Sequence, residues 1–363
     1  MKIQDLQVDH YRIPLPVVLS DSTHGDISHF ALVVVRLRDA EGREGTGYTY
    51  TVGNIGGSAV RALIDDDLRE AVVGEDSRRI ERLWERMWWR LHFVGRGGLA
   101  SFAMAAVDVA LWDLAGKRAG EPLWRLLGGH DNRVRAYAGG IDLQFPLEQL
   151  LEQARGFVAG GFRAIKMKVG RDRMREDLER ALAMRELLGP DFPLMADANM
   201  RWSVADAIRA ARGLREADLV WLEEPVIPDD VAGHARVAVE GGVPIAAGEN
   251  LHSVHEFEHL ITHGRVAFPE PDLATLGGVT PWLKVARLAE ARNLPVTSHG
   301  VHDLHVHLLA AVPNASFLEV HGFGLDRFIR QPLALHEGLA VAPDRPGHGV
   351  ELEYEALAEH RQG

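Results

Sequence analysis

The sequence predicts an α/β protein, a (β/α)8 barrel preceded by a smaller α+β portion, and three observations carry that prediction. After Gly129, short apolar segments alternate with amphipathic helical ones, eight times over about 190 residues, which is the spacing of a barrel in which each strand is followed by a helix. Those segments end near Gly139, Lys168, Asn199, Glu224, Asn250, Asp272, His299 and Glu319, at roughly even intervals. Before Gly129 strand-like alternation comes first and helical periodicity afterwards, the order of an α+β unit. The expected division is 1–129 for that unit, 130–325 for the barrel, and 326–363 for a tail that leaves the barrel to pack elsewhere.

Composition narrows the function classes. The 363 residues are enough for a large core, and 46% hydrophobic with 25% charged residues leaves no case for disorder. A formal charge of -12 argues against a nucleic-acid partner, because phosphate binding needs a basic surface. It does not repel an acidic small molecule where cations are placed locally. Without cysteine there are no disulfides, thiolate metal sites or cysteine nucleophiles, which suits a reducing cytoplasm. The start, Met1-Lys2-Ile3-Gln4-Asp5, has no apolar signal core, and no stretch reads as long enough to span a bilayer. A soluble cytoplasmic protein with no membrane partner is expected, assembled as a homo-oligomer.

Taken in order, residues 1 to 50 alternate like strands. Phe30 to Arg38 is the clearest, and Asp39 to Gly45 turns the chain back in a hairpin. Two polar loops flank this region, Ser20 to Asp26 and Tyr48 to Gly57. Ile80, Leu83, Trp84, Met87, Trp88 and Leu91 recur at helical spacing, so their aromatics are read as packing. Ala103 to Ala115 is a second, alanine-rich helix, on which Asp108 and Asp113 are given capping or interhelix roles.

Lys166-Met167-Lys168 sits in a short apolar strand closed by Gly170. Residues two apart on a strand share a face, so both lysines point the same way, and neighbouring ammonium groups lower each other's proton affinity. An edge strand with two solvated lysines is the plain alternative, and the downstream strand ends count against it. Asp197, Glu223 and Glu249 close successive strands. Like charges around one barrel mouth cost folding energy unless a cation sits among them. An all-oxygen set suits Mg2+, so these three are assigned as its ligands. Glu224 points away from Glu223 on the same strand and takes a supporting role. Across the mouth, Asp272 orients and activates the imidazole of His299, making it a second base. His302, His305 and His307 are not read as a metal site, since His305 and His307 cannot share a helix face.

Together, Lys166-Met167-Lys168, Asp197-Ala198-Asn199, Trp221-Leu222-Glu223-Glu224-Pro225, Gly248-Glu249-Asn250, Asp272, His299 and Glu319 resemble the mandelate racemase subgroup of the enolase superfamily, over nearly the whole chain. The resemblance implies an N-terminal α+β capping domain, completed by the C-terminal tail, over a modified (β/α)8 TIM barrel. It implies Mg2+ on Asp197, Glu223 and Glu249, with Lys168 and the His299–Asp272 dyad as opposed bases. Glu319 would donate a hydrogen bond to the substrate carboxylate, and Lys166 would contact that carboxylate and tune Lys168.

Two outcomes of α-proton removal are open to such a site, return of the proton from the other face or loss of a β-hydroxyl. The capping loops carry Ser22, Thr23, His24, Asp26, Tyr48, Tyr50 and Asn54, which suit substrate hydroxyls. An acid-sugar dehydratase yielding a 2-keto-3-deoxy acid is therefore expected, with His24, Tyr48, Asn54 and Asn199 as substrate contacts; a racemase or epimerase of a 2-hydroxy acid is the alternative. Arg96 and His92 are weighed as partners of a distal carboxylate against an interdomain or surface role. A Schiff-base aldolase would not need three carboxylates. A non-catalytic metal-binding scaffold would bind Mg2+ without exchanging an α-proton, and a metal hydrolase fits less well, because His305 and His307 fall in a late helix.

Overall fold

The computed structural model describes residues 1–321 and 323–362. Its first layer is an antiparallel sheet of β1 (Ile3–Asp21), β2 (Gly25–Asp39) and β3 (Glu44–Val52). Period-2 alternation along β2 serves two cores at once. Phe30, Leu32 and Val34 pack with residues of the barrel, whereas Val33, Val35 and Leu37 pack with the helices Ile80–Leu91 and Leu99–Ala119. Every residue from Phe30 to Val35 is consequently buried. The Leu99–Ala119 helix lies so close that a Cβ on Gly47 would meet the Ala106 carbonyl oxygen at 2.2 Å. This helix corrects one sequence expectation, because by length and composition it could cross a membrane. Most of its apolar window is buried inside the protein, so it is the central helix of the capping core.

The barrel follows. Parallel strands β4 (Arg133–Gly139), β5 (Ile165–Lys168), β6 (Leu194–Asp197), β7 (Leu222–Glu223), β8 (Ile245–Ala247) and β9 (Phe268–Pro269) pair in sequence order, and β10 (Phe317–His321) pairs back onto β4. Where an eighth strand belongs, around His299, no named strand forms among the described residues. Val296 makes one parallel bridge to Ala315, and Thr297 N donates to Pro269 O at 3.1 Å. Below the mouth the interior is filled by Tyr137, Met195, Trp221, Ala246 and Phe317. Trp221 and Glu223, two apart, share that inward face, and Trp221 Nε1 donates to Glu223 Oε2 at 2.9 Å.

The tail runs through β11 (Leu335–His336) and β12 (Leu339–Val341), which pairs with β4, to β13 (Arg361–Gln362), which pairs with β1. Both aspartates of the long helix act as structural acceptors. Asp108 takes hydrogen bonds from Thr280 N at 2.9 Å and Thr280 Oγ1 at 2.7 Å, joining cap to barrel. Asp113 accepts from Thr46 N and His348 N.

Candidate active site

Strand register sets the first half of the site. Lys168 pairs laterally with Asp197, and Asp197 with Glu223, so an amine and two carboxylates stand in one row across β5, β6 and β7. Glu249 follows the end of β8 and completes the triad. One oxygen from each of Asp197, Glu223 and Glu249 lies within 4.8 Å of the others. Lys166 Nζ is fully buried, 2.5 Å from Glu223 Oε1, 2.8 Å from Glu319 Oε1 and 3.7 Å from Asp197 Oδ2. Lys168 donates to Asp197 Oδ2.

The lysine pair does not behave as spacing alone suggested. Burial acts against the charge on Lys168 and Lys166 repels it, yet the carboxylates of Asp197, Glu249 and Glu223 outweigh both and hold its pKa above the ordinary lysine value. Among the acids, burial and mutual repulsion push Glu223 and Glu249 up, while the two ammonium groups draw Asp197 down. Such a cluster is stable only with positive charge among its oxygens. A hard divalent cation fits this donor set. The set is all carboxylate, and Glu249 Oε2, although 3.2 Å from His299 Nε2, accepts no hydrogen bond from a described residue.

The second half of the site comes from both domains. Asp272 caps the helix Leu273–Leu276 through Ala274 N and also lies 3.0 Å from His299 Nδ1, forming the expected dyad. Tyr50, from β3 of the cap, donates to Asp272 Oδ2 at 2.9 Å and stands 3.3 Å from His299 Nδ1. Burial lowers the pKa of His299, but Glu249, Glu319 and Asp272 together raise it to about 10. The next residue must be small, since a Cβ on Gly300 would lie 2.4 Å from the Tyr50 hydroxyl at a backbone φ of +60°. Lys168 thus stands at the Asp197 end of the triad and His299 at the Glu249 end.

Glu319, on β10, accepts from Gly300 N at 2.9 Å and faces Lys166. Burial disfavours its charge, but Lys166, His321 and His299 hold its pKa well below the carboxylate range, so in this arrangement it accepts hydrogen bonds. Glu224 turns away as expected, with a left-handed φ of 38°, and takes both Asn250 Nδ2 contacts at 3.0 and 2.9 Å.

The capping loop reaches the mouth. Ser22 Oγ donates to Ala198 O at 2.7 Å, Thr23 Oγ1 donates to Asn199 O, and Asp21 accepts from His24 N and holds His24 Nδ1 at 2.8 Å. The hydrogen bond to Asp21 raises the His24 pKa against burial, with Glu249 adding to the rise. Asn199 is buried there with Oδ1 unpartnered among the described residues. Tyr48 is wholly buried between cap and barrel. Asn54 departs from the expectation, being exposed on the turn after β3, beside His10. Arg96 lines an outer groove with Trp84, Trp88 and His252, and His92 is exposed beside Trp89, so neither serves the mouth.

Sequence reasoning missed three residues. Asp142 accepts from Lys168 N at 3.0 Å, Glu270 is buried and accepts from the Tyr137 hydroxyl at 3.4 Å, and His321 lies beside Glu319. The last was findable, because positions 319 and 321 share a strand face. His305 and His307 are bonded to backbone, at Leu273 N and His348 O respectively.

Comparison with known proteins places the chain in a family. Residues 4–128 match the mandelate racemase / muconate lactonizing enzyme N-terminal domain, and 149–356 match the enolase C-terminal domain-like family. A 3,6-anhydro-alpha-L-galactonate cycloisomerase of Streptomyces coelicolor is 55% identical over 355 residues, 98% of each chain. The crystal structure of a racemase from Streptomyces coelicolor A3(2) with bound magnesium superposes with a TM-score of 0.97 at 54% identity, covering 99% of this chain and 100% of that one. L-talarate/galactarate dehydratase from Salmonella typhimurium LT2, liganded with Mg and L-lyxarohydroxamate, gives 0.95 at 34%, covering 100% and 93%.

Proposed function

The chain belongs to the mandelate racemase / muconate lactonizing enzyme family of the enolase superfamily, and from that premise we propose that it is a Mg2+-dependent enzyme that eliminates the β-oxygen of a sugar acid to give a 2-keto-3-deoxy acid. The observation that carries the reading is the placement of an amine and an imidazole at opposite ends of one carboxylate triad. When bound by Asp197, Glu223 and Glu249, Mg2+ supplies positive charge that stabilises the doubly charged carboxylate of the deprotonated acid and competes with Lys168 for Asp197.

Lys166 steadies the same substrate carboxylate, with Glu319 beside it. Lys168, whose high proton affinity comes first from Asp197, would act as the neutral amine once that carboxylate is engaged by the cation; it takes the proton from C2, and the electron pair forms the enediolate. Its collapse breaks the bond from C3 to oxygen, and His299, oriented by Asp272 and Tyr50, gives that oxygen a proton. The resulting enol becomes the 2-keto acid.

One step therefore serves two reactions. In an open-chain acid the expelled oxygen departs as water, which is the dehydration expected from the polar loops. In a 3,6-anhydro acid the same oxygen remains tethered through C6, the ring opens, and the product is an isomer. The 55% identity over 98% of each chain favours the ring ether as leaving group. The likeness to a dehydratase keeps the open-chain reaction as the second reading.

The test is to incubate the Mg2+-loaded protein with 3,6-anhydrogalactonate and, separately, with open-chain aldonates and aldarates, and to assay 2-keto-3-deoxy product. Product from the anhydro acid, abolished by EDTA and restored by Mg2+, is expected. Product from open-chain acids alone would make the enzyme a dehydratase. Exchange of the α-proton with deuterated water and no loss of oxygen would make it an epimerase. No exchange and no product from any of these acids defeats the elimination reading.

A further inference from the structure

Beside the dyad, between β3 of the cap and β10 of the barrel, lies a cavity of about 30 Å3 lined by Tyr48, Tyr50, His302, Asp303, His321 and Phe323 among others. That is the volume of one water or one hydroxyl group. Two of the residues that line it carry buried polar atoms with no partner among the described residues, the Tyr48 hydroxyl from the cap and His321 Nδ1 from the barrel. Two other contacts tie the cavity to the reaction centre. Tyr50 donates to Asp272, and the His321 ring stands 5.9 Å from that of His299 and 3.8 Å, through Nε2, from Glu319 Oε2.

We propose that this cavity is a hydroxyl-binding subsite for the carbon chain of the sugar acid, in which Tyr48 donates to one substrate oxygen and His321 Nδ1 accepts its proton. The chemistry of the two walls supports that pairing. Burial keeps the Tyr48 phenol protonated and therefore a donor. Nε2 is the ring nitrogen on the side of the Glu319 carboxylate, 3.8 Å from Oε2, and the neutral tautomer that this charge favours, with its hydrogen on Nε2, leaves Nδ1 as a lone pair. Burial holds that imidazole neutral, down at about 3, against the pull of Glu319. A hydroxyl accepts and donates at once, so one delivered by the substrate in place of a water satisfies both orphans. The remaining wall, with Phe30, Leu32 and the edge-on Phe323 ring 4.5 Å from His321, suits the methine carbon that bears it. His321 is in this account a specificity residue for the polyhydroxy chain.

The inference rests on the sugar-acid reading, and the experiment separates the two. Steady-state kinetics with Mg2+ compare wild type, Tyr48→Phe, His321→Leu and His321→Asn on whichever six-carbon acid is turned over, and α-proton exchange is measured on glycerate, which has no carbon beyond C3. The expected result is a rise in KM of roughly tenfold or more for the six-carbon acid in Tyr48→Phe and His321→Leu; kcat falls less than KM rises, and His321→Leu, which also removes a neighbour of Glu319, is read by its KM. Glycerate exchange should fall much less than six-carbon turnover in each variant, and His321→Asn, which retains an acceptor, should recover most of the loss in KM. The double variant Tyr48→Phe/His321→Leu should be no worse than the worse single one, because both atoms hold one oxygen. Unchanged KM in both single variants, or equal losses on glycerate and the six-carbon acid, overturns the subsite. If wild type turns over no six-carbon acid, the elimination reading fails. The subsite is then judged by calorimetric binding of galactonate to Mg2+-loaded wild type and Tyr48→Phe, where equal affinity overturns it.

Discussion

The amine flank and the imidazole flank of the mouth are built in different ways. On the amine flank, Lys168 and Asp197 are 29 residues apart, and neighbouring strands of one ladder bring them level. Every member there is buried, and each lysine faces a carboxylate. On the imidazole flank, Tyr50 reaches Asp272 across 222 residues and His299 across 249, from a different domain. His299 itself is 19% exposed and sits where the barrel has a bridge in place of a strand. The contrast teaches that one flank is aligned by a barrel ladder, whereas the other is a barrel dyad that takes an added hydrogen bond from the cap.

The sharpest way to break the comparison is to remove a cation from each side. Lys166→Met leaves Glu223 and Glu319 buried without their ammonium and should cost about 3–5 kcal/mol of stability in EDTA, measured by denaturant unfolding. His299→Asn should cost far less stability while lowering kcat by roughly 10^3-fold, as loss of a general acid does. Comparable stability losses would mean that the flanks are not built differently.

Next in size is the joint that docks the cap. Burial raises the Asp108 carboxyl to about 7, against the opposing hydrogen bonds from Thr280. A raised acid favours the protonated form in the folded state, so the stability it contributes is present below the unfolded value of 3.8 and is lost as pH rises through about 7. Asp108→Asn keeps the acceptor to Thr280 N and does not titrate. Its melting temperature relative to wild type should climb between pH 4 and 8 and level off above, with a full span on the order of 4 kcal/mol. A gap that stays flat with pH would show that Asp108 is charged throughout.

Smaller effects probe the cap's own contribution. Tyr50→Phe removes one hydrogen bond to Asp272 and should lower kcat about tenfold with a stability loss of about 1 kcal/mol. A Tyr50→Phe enzyme as fast as wild type would mean that the dyad needs no help from the cap. Ser22→Ala loses the bond to Ala198 O and should raise KM only a few-fold, at a cost of about 0.5–1.5 kcal/mol.

What the chain disclosed before folding follows the same division. Asp197, Glu223 and Glu249 could be read directly, because each ends an apolar run and strand spacing alone puts such residues at one mouth. Asp272 and His299 were legible as a carboxylate and an imidazole at successive strand ends, but their partner Tyr50 was only one hydroxyl among several in a polar loop. Nothing local distinguishes Tyr50, which meets the dyad, from Asn54, which faces solvent four residues later. The lysine pair misled on charge, since repulsion between neighbours is visible in sequence while the attraction of three carboxylates arriving from other strands is not. His321 needed only the two-residue strand rule applied once more beyond Glu319.

A barrel knit by full ladders all round would grip its proton donor as firmly as its amines. Here the stave carrying His299 is stitched to the next through Val296, so its amides should admit solvent deuterium sooner than those of β5 or β6. Substitutions can accumulate along that loose seam without unpicking the weave that aligns the acids. The same scaffold can therefore be retuned for a new leaving group while its grip on the substrate's carboxyl end stays as it was.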